Sequence, residues 1–144
     1  MRKNSKAILA KNSSWTFKGN IAKKFSSHIS QSVPYYQDGH SLIANLSDFF
    51  LKDNSICYDI GSSTGTMLNK IASRHKTKKI IYYGIETVPE MIKEAKKINI
   101  DKIVSKINYL NKDIGKVKLK KSDLIISYYT IQFISPKNRQ IIMS

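Results

Sequence analysis

The chain has 144 residues, 41% of them apolar, with one cysteine and a formal net charge of +15. That length supports one domain with a sizeable buried core, and the composition excludes a disulfide scaffold or wholesale disorder. No apolar run approaches the ~20 residues of a bilayer span.

Ala7–Ala10 is too short for a secretory core, so a cytoplasmic protein with a buried, reduced Cys57 is expected. The charge invites a polyanionic partner. Its 25 basic residues are spread along the chain, however, and arginine appears only as Arg2, Arg74 and Arg139. Lysine meets phosphate as a point charge, whereas arginine offers a bidentate fork. Weak RNA or tRNA binding is the expectation, although an A/T-biased gene produces the same composition.

In chain order, residues 1–14 read as a flexible basic arm and residues 15–54 as an N-terminal helical cap. The first cap helix carries Phe17, Ile21, Phe25 and Ile29 at four-residue spacing. It ends before Pro34, because Val33 is pushed out of the α region. Asp38–Gly39 predicts a turn. A second helix follows with Leu42, Ile43, Leu46, Phe49 and Phe50 inward, closed at Asp53–Asn54.

Residues 55–144 alternate strand and helix. Strands are predicted at Ile56–Ile60, Lys79–Ile85, Lys106–Leu110 and Leu124–Tyr128. One helix spans Thr66–Ser73, with Met67, Leu68, Ile71 and Ala72 inward. The next opens with a capping box, Thr87-Val88-Pro89-Glu90, and turns Met91, Ile92, Ala95 and Ile98 inward. A last helix opens at Ser135–Pro136. This alternation predicts an α/β fold with a parallel sheet.

The residues with chemistry fall at the strand ends, where parallel sheets bind ligands. "CYDIGSSTGTM" sets Asp59, Gly61 and Gly65 at one strand-to-helix turn, a backbone built to come close to a ligand. The stretch lacks both the lysine of a P-loop and the G-x-G-x-x-G spacing of a dinucleotide site. An acid there repels pyrophosphate and suits a ligand with an ammonium group, such as S-adenosylmethionine (SAM). "YYGIETVPE" places Glu86 where a carboxylate accepts ribose hydroxyls. Asp113 is either an adenine contact or a turn former beside Gly115. Tyr36 lines the pocket or packs the cap onto the sheet, and Tyr128 and Tyr129 are substrate-side or core residues. His28, His40 and His75 lack metal-ligand spacing and read as ordinary surface or half-buried residues, so no metal is expected.

"YDIGSSTG", "GIETVPEMI", "KDI" and "LIISYYTIQFI" together resemble the class I SAM-dependent methyltransferase fold. A closer resemblance is to the carboxy-S-adenosylmethionine synthase family, a branch involved in tRNA wobble-uridine modification. That family also has serine at the place of Ser63, an element like Phe17, Ile21, Ala22, Phe25, Ile29 and "SVPYY", and a match to "TIQF" at Thr130–Phe133. The chain departs from it at Lys18–Gly19, where the family has an acidic pair, and at Tyr128, where it has asparagine.

The resemblance implies a Rossmann-like sheet of order 3-2-1-4, with Leu124–Tyr128 as an apolar edge that a second copy or a partner chain covers. It implies SAM, S-adenosylhomocysteine or carboxy-SAM as ligand. The residues implied to hold it are Tyr36, Asp59, Gly61, Ser62, Ser63, Gly65, Glu86, Thr87, Asp113, Ile114 and Tyr128. Methyl or carboxymethyl transfer follows as the expected activity. Members of the family continue for three further strands, which carry the arginine for the transferred carboxylate. An incomplete fold is therefore expected here, and a non-catalytic module that binds a protein or RNA partner is the alternative.

Overall fold

The computed structural model describes residues 21–98 and 103–143. The predicted arm 1–14, Phe17 and the Lys18–Gly19 departure lie outside those residues. Two cap helices, α1 (Ile21–Ser32) and α2 (Tyr36–Leu46), come first. Then follow β1 (Ile56–Ile60), α3 (Thr66–Arg74), β2 (Ile81–Glu86), α4 (Pro89–Ala95), β3 (Ile107–Asn111), β4 (Leu124–Ile126) and α5 (Pro136–Met143). The strands form one parallel sheet of order β3-β2-β1-β4.

Central β1 explains the two-sided core. Its side chains alternate between faces, and both faces are covered, so the strand reads as an almost continuous apolar run. Cys57 joins Leu68, Ile71, Ile80 and Tyr82 on the side of α3. Tyr58 and Ile60 join Ile85 and Ile114 on the other side, with Ile142 of α5 packed against them. Burial pushes the Cys57 thiol up to about 12, which makes it an inert packing group. No described helix is long and apolar enough to cross a membrane.

Several boundaries differ from expectation, each for a local reason. The chain breaks between α1 and α2 at Tyr35, in the left-handed region at φ 56°. Asp38–Gly39 then lies inside α2 rather than at a turn. A Cβ on Gly39 would collide with the Tyr128 hydroxyl, so the glycine lets Tyr128 pack under the helix. The face of α2 turned inward is His40, Ala44 and the following Ser47, with Ile43 packed partly buried against the core as expected. Leu42, Leu46, Phe49 and Phe50 are exposed, Phe49 at 83%. The small residues win because they allow α2 to approach α3 closely.

β2 begins two residues later than predicted. The N–H groups of Lys79 and Ile80 are occupied by Asp53 Oδ1 and Ser105 Oγ, both at 2.7 Å. β4 stops at Ile126, before Tyr129 turns to φ 52°, and the Tyr128 hydroxyl donates to the Tyr36 carbonyl at 3.3 Å. The capping box at Thr87 does not form. Val88 occupies the cap position without a side-chain bond, and Ile98 falls beyond α4 at 43% exposure.

Candidate functional site

The carboxyl ends of β1 and β2, the residues after β4 and the two cap helices surround a cleft of three adjoining cavities. The first, a chamber of about 30 Å³, is lined by Asp59, Ser62, Tyr36 and His40. The second, about 350 Å³, is lined by Tyr36, Ser63, Glu86, Met91, Tyr128 and Thr130 among others. The third, about 310 Å³, runs past Glu86 and Thr87 to Asp113 and Ile114. Gly61 touches all three. The two larger cavities are of the size small-molecule sites usually have, ~300–1,000 Å³.

The β1–α3 loop sets this geometry. The N–H groups of Gly61 and Ser62 both donate to the Ile85 carbonyl, at 2.8 and 3.1 Å, folding the loop back over β2. Gly61, Ser63 and Gly65 all have positive φ, at 74°, 50° and 75°. For serine this conformation is a strained one. It turns the Ser63 N–H onto Glu86 Oε2 at 2.9 Å. Glu86 Oε1 accepts from the Val88 N–H, also at 2.9 Å. That bond replaces the predicted capping box: the carboxylate at the end of β2 caps α4 in place of Thr87, whose hydroxyl faces the same oxygen at 3.4 Å.

Asp59 is in different surroundings. It is 3% exposed, and its carboxylate receives no hydrogen bond among the described residues. Burial first, and the Glu86 charge second, push its carboxyl up to about 7. Ser62 Oγ and His40 Nδ1 beside it are buried without partners among the described residues. Burial and then the Lys70 charge lower His40 to about 4. Burial and then Asp59 raise the Tyr36 phenol to about 12.

Most of the residues proposed from sequence therefore converge. Gly65 does not. A Cβ there would strike the Tyr109 hydroxyl and Ala95, so it is a packing glycine between α4 and β3 and lines none of these three cavities. Gly61 lines the cleft, but the group a Cβ would strike is the Thr130 side chain; the close approach is to the protein itself. Asp113 stands at the rim with Oδ1 accepting from the Gly115 N–H at 2.8 Å, the turn-forming alternative. Tyr36, Tyr128 and Tyr129 cluster with ring centroids 4.6–5.9 Å apart, so the tyrosines both line the cleft and pack the cap.

His40 and His75 are buried rather than at the surface. His75 Nε2 and Ser47 Oγ lie 2.8 Å apart, tying α3 to the cap. Among the described residues no group of three or more His, Cys, Asp or Glu is placed to hold a metal. Sequence reasoning missed Thr130 and His40 as lining groups. Thr130 lay within the "TIQF" match, whereas a lone histidine carries no local signal.

Comparison with known proteins agrees with the fold. A methyltransferase-domain family model matches residues 57–144. The chain is 31% identical over 128 residues to the carboxy-S-adenosyl-L-methionine synthase of Desulfotalea psychrophila, covering 88% of the chain and 52% of that protein. It is 28% identical over 139 residues to the Yersinia pestis synthase of the same name, covering 96% and 52%. The chain thus spans about half the length of the curated relatives it matches.

Among solved structures, the plantazolicin methyltransferase BpumL in complex with S-adenosylhomocysteine (SAH) superposes with a TM-score of 0.62. Its identity is 22%, over 86% of this chain and 46% of that one. A putative SAM-dependent methyltransferase from Methanococcus maripaludis gives a TM-score of 0.67 at 20% identity, over 99% and 61%. At these identities the likeness is one of fold.

Proposed function

The chain belongs to the methyltransferase-domain family, and from that premise we propose that its cleft binds SAM and serves a SAM-dependent transfer. One observation carries the reading: two carboxylates, Asp59 and Glu86, stand at neighbouring strand ends on either side of the Gly61 loop and face connected cavities. Glu86 uses one site on each oxygen for the backbone. A carboxylate has about four acceptor sites, and the long Thr87 hydroxyl contact at 3.4 Å uses a third, so there is capacity for one ribose hydroxyl, and for two once that contact is displaced. Asp59, bare and buried, suits the ammonium end. The third cavity, between Thr87 and Ile114, suits the adenine.

The residues present fit the cofactor. When bound, SAM supplies an activated carbon and its own leaving group, and the chain's part is binding and alignment. Ser63 N–H and Val88 N–H hold Glu86 in place, while Tyr36, Tyr128 and Thr130 wall the cavity where an acceptor would enter. In its finer form, the proposal follows the carboxy-SAM synthases, with the transfer feeding tRNA wobble-uridine modification. Calorimetric titration with SAM and SAH tests the core of it. Saturable binding of either is the expected result, and no heat or protection from melting with both overturns it.

The β4 edge favours a second reading, a SAM-fold module completed by another copy of the chain. Among the described residues β4 pairs only with β1, and Ile125 on it is 50% exposed. An apolar strand edge of that kind recruits further strands. Light scattering across concentrations should show self-association that Ile125→Lys removes. A monomer at all concentrations excludes the second copy.

A further inference from the structure

The chamber beside Asp59 holds an unusual set of polar groups. Asp59 comes from β1, Ser62 from the β1–α3 loop and His40 from cap helix α2. All three are more than nine-tenths buried, at 3%, 4% and 2% exposure. Ser62 Oγ and His40 Nδ1 have no hydrogen-bond partner among the described residues. Buried polar atoms left without partners cost roughly 1–3 kcal/mol each, so two of them beside the bare Asp59 carboxylate point to a missing guest.

The size and chemistry of the chamber narrow the guest. About 30 Å³ holds one small polar group the size of a water molecule, and the Asp59 charge disfavours a second carboxylate there. A neutral imidazole nitrogen, a hydroxyl oxygen and a carboxylate are all acceptors, and a primary ammonium group offers three donors and no acceptor.

We infer that His40 completes a three-acceptor seat, with Asp59 and Ser62, for a primary ammonium group on the bound ligand. The inference rests on the SAM reading and adds a specificity residue from the cap. His40 must be neutral to accept, and its low pKa, about 4, supplies that form at neutral pH. The ring is held in place by its neighbours: its centroid lies 4.5 Å from that of Tyr36 and 5.3 Å from that of Tyr128. Because α2 brings the third acceptor, the seat exists only when the cap is docked on the sheet. Ligand amine and cap position are thereby linked.

The test compares SAH with its des-amino analogue, in which hydrogen replaces the amino group, by calorimetry on the intact chain at neutral pH. Wild type should prefer SAH by about tenfold or more, the range for hydrogen bonds to a charged group. His40→Phe keeps an aromatic ring against Tyr36 but removes the acceptor. It should weaken SAH about tenfold while leaving the analogue within about twofold, which also reports a folded cleft. His40→Asn, which restores an acceptor, should recover part of the preference. Equal weakening of both ligands by His40→Phe, or no preference in wild type, overturns the seat but leaves the SAM reading intact. Binding of neither ligand to wild type overturns both.

Discussion

Asp59 and Glu86 are carboxylates at the ends of adjacent strands in one sheet, yet the protein treats them in opposite ways. Glu86 sits half-buried at the rim with two backbone N–H groups already on its oxygens. Asp59 is buried at the end of β1, with no donor on it among the described residues. The first is organised by the fold and stabilises it. The second is left open and destabilises it, which is what a group reserved for a ligand does.

The largest expected effect follows from that contrast. The folded Asp59 carboxyl titrates at about 7, against an ordinary value of 3.8, so the native state binds more protons than the unfolded chain between those limits. Stability from this group is full below about pH 4 and falls as the pH rises towards 7. The loss is on the order of 4 kcal/mol. Burial is the main cause and the Glu86 charge the second; the Asp59 charge in turn raises the Tyr36 and Tyr109 phenols and the Cys57 thiol. Asp59→Asn should therefore raise the unfolding free energy at pH 8 and flatten the pH slope, while weakening SAM. Urea melts of both proteins at pH 5 and pH 8 decide the matter. An asparagine variant that is less stable than wild type at pH 8 breaks the comparison.

Glu86→Ala is the opposite probe. It should cost about 1.5–3 kcal/mol of SAM affinity, the range for a hydrogen bond to a charged group. Unlike Asp59→Asn it should also lower the melting temperature, because it strands the Ser63 and Val88 N–H groups. Water reaches this rim, so a stability loss near 1 kcal/mol is expected. If Glu86→Ala leaves the melt unchanged, Glu86 is not the organiser of the loop that its two bonds make it.

What the sequence carried of this contrast divides along physical lines. The acids and the glycine loop were legible because they are local: a turn needs particular residues at particular spacings, whereas the strand order came from the family resemblance. The interior face of α2 was not. The apolar series Leu42, Leu46 and Phe49 has helical period, but packing against α3 selected the small residues Ala44 and Ser47 and buried His40 instead. The capping box misled for a related reason. Thr87 has the right spacing, yet Glu86, one residue away, holds the competing acceptor. Whether Asp59 would be bare and Glu86 satisfied depends on which N–H groups the folded loop aims where. No spacing rule states that.

The smallest effect concerns the residue that makes Glu86 the satisfied partner. Ser63 holds φ 50°, a region that costs a side-chain-bearing residue about 1–2 kcal/mol. Glycine occupies it without strain but loses more entropy on folding, by roughly 0.4–1 kcal/mol. The serine also gives up its Oγ contact to Met91 Sδ, a weak one at 3.7 Å. The terms nearly cancel, so Ser63→Gly should stabilise the protein by at most about 1 kcal/mol. Its N–H still reaches Glu86, so SAM affinity should stay within about twofold of wild type, well below the tenfold that ~1.4 kcal/mol represents. A larger loss would mean that the Ser63 hydroxyl, and not only its backbone, serves the ligand.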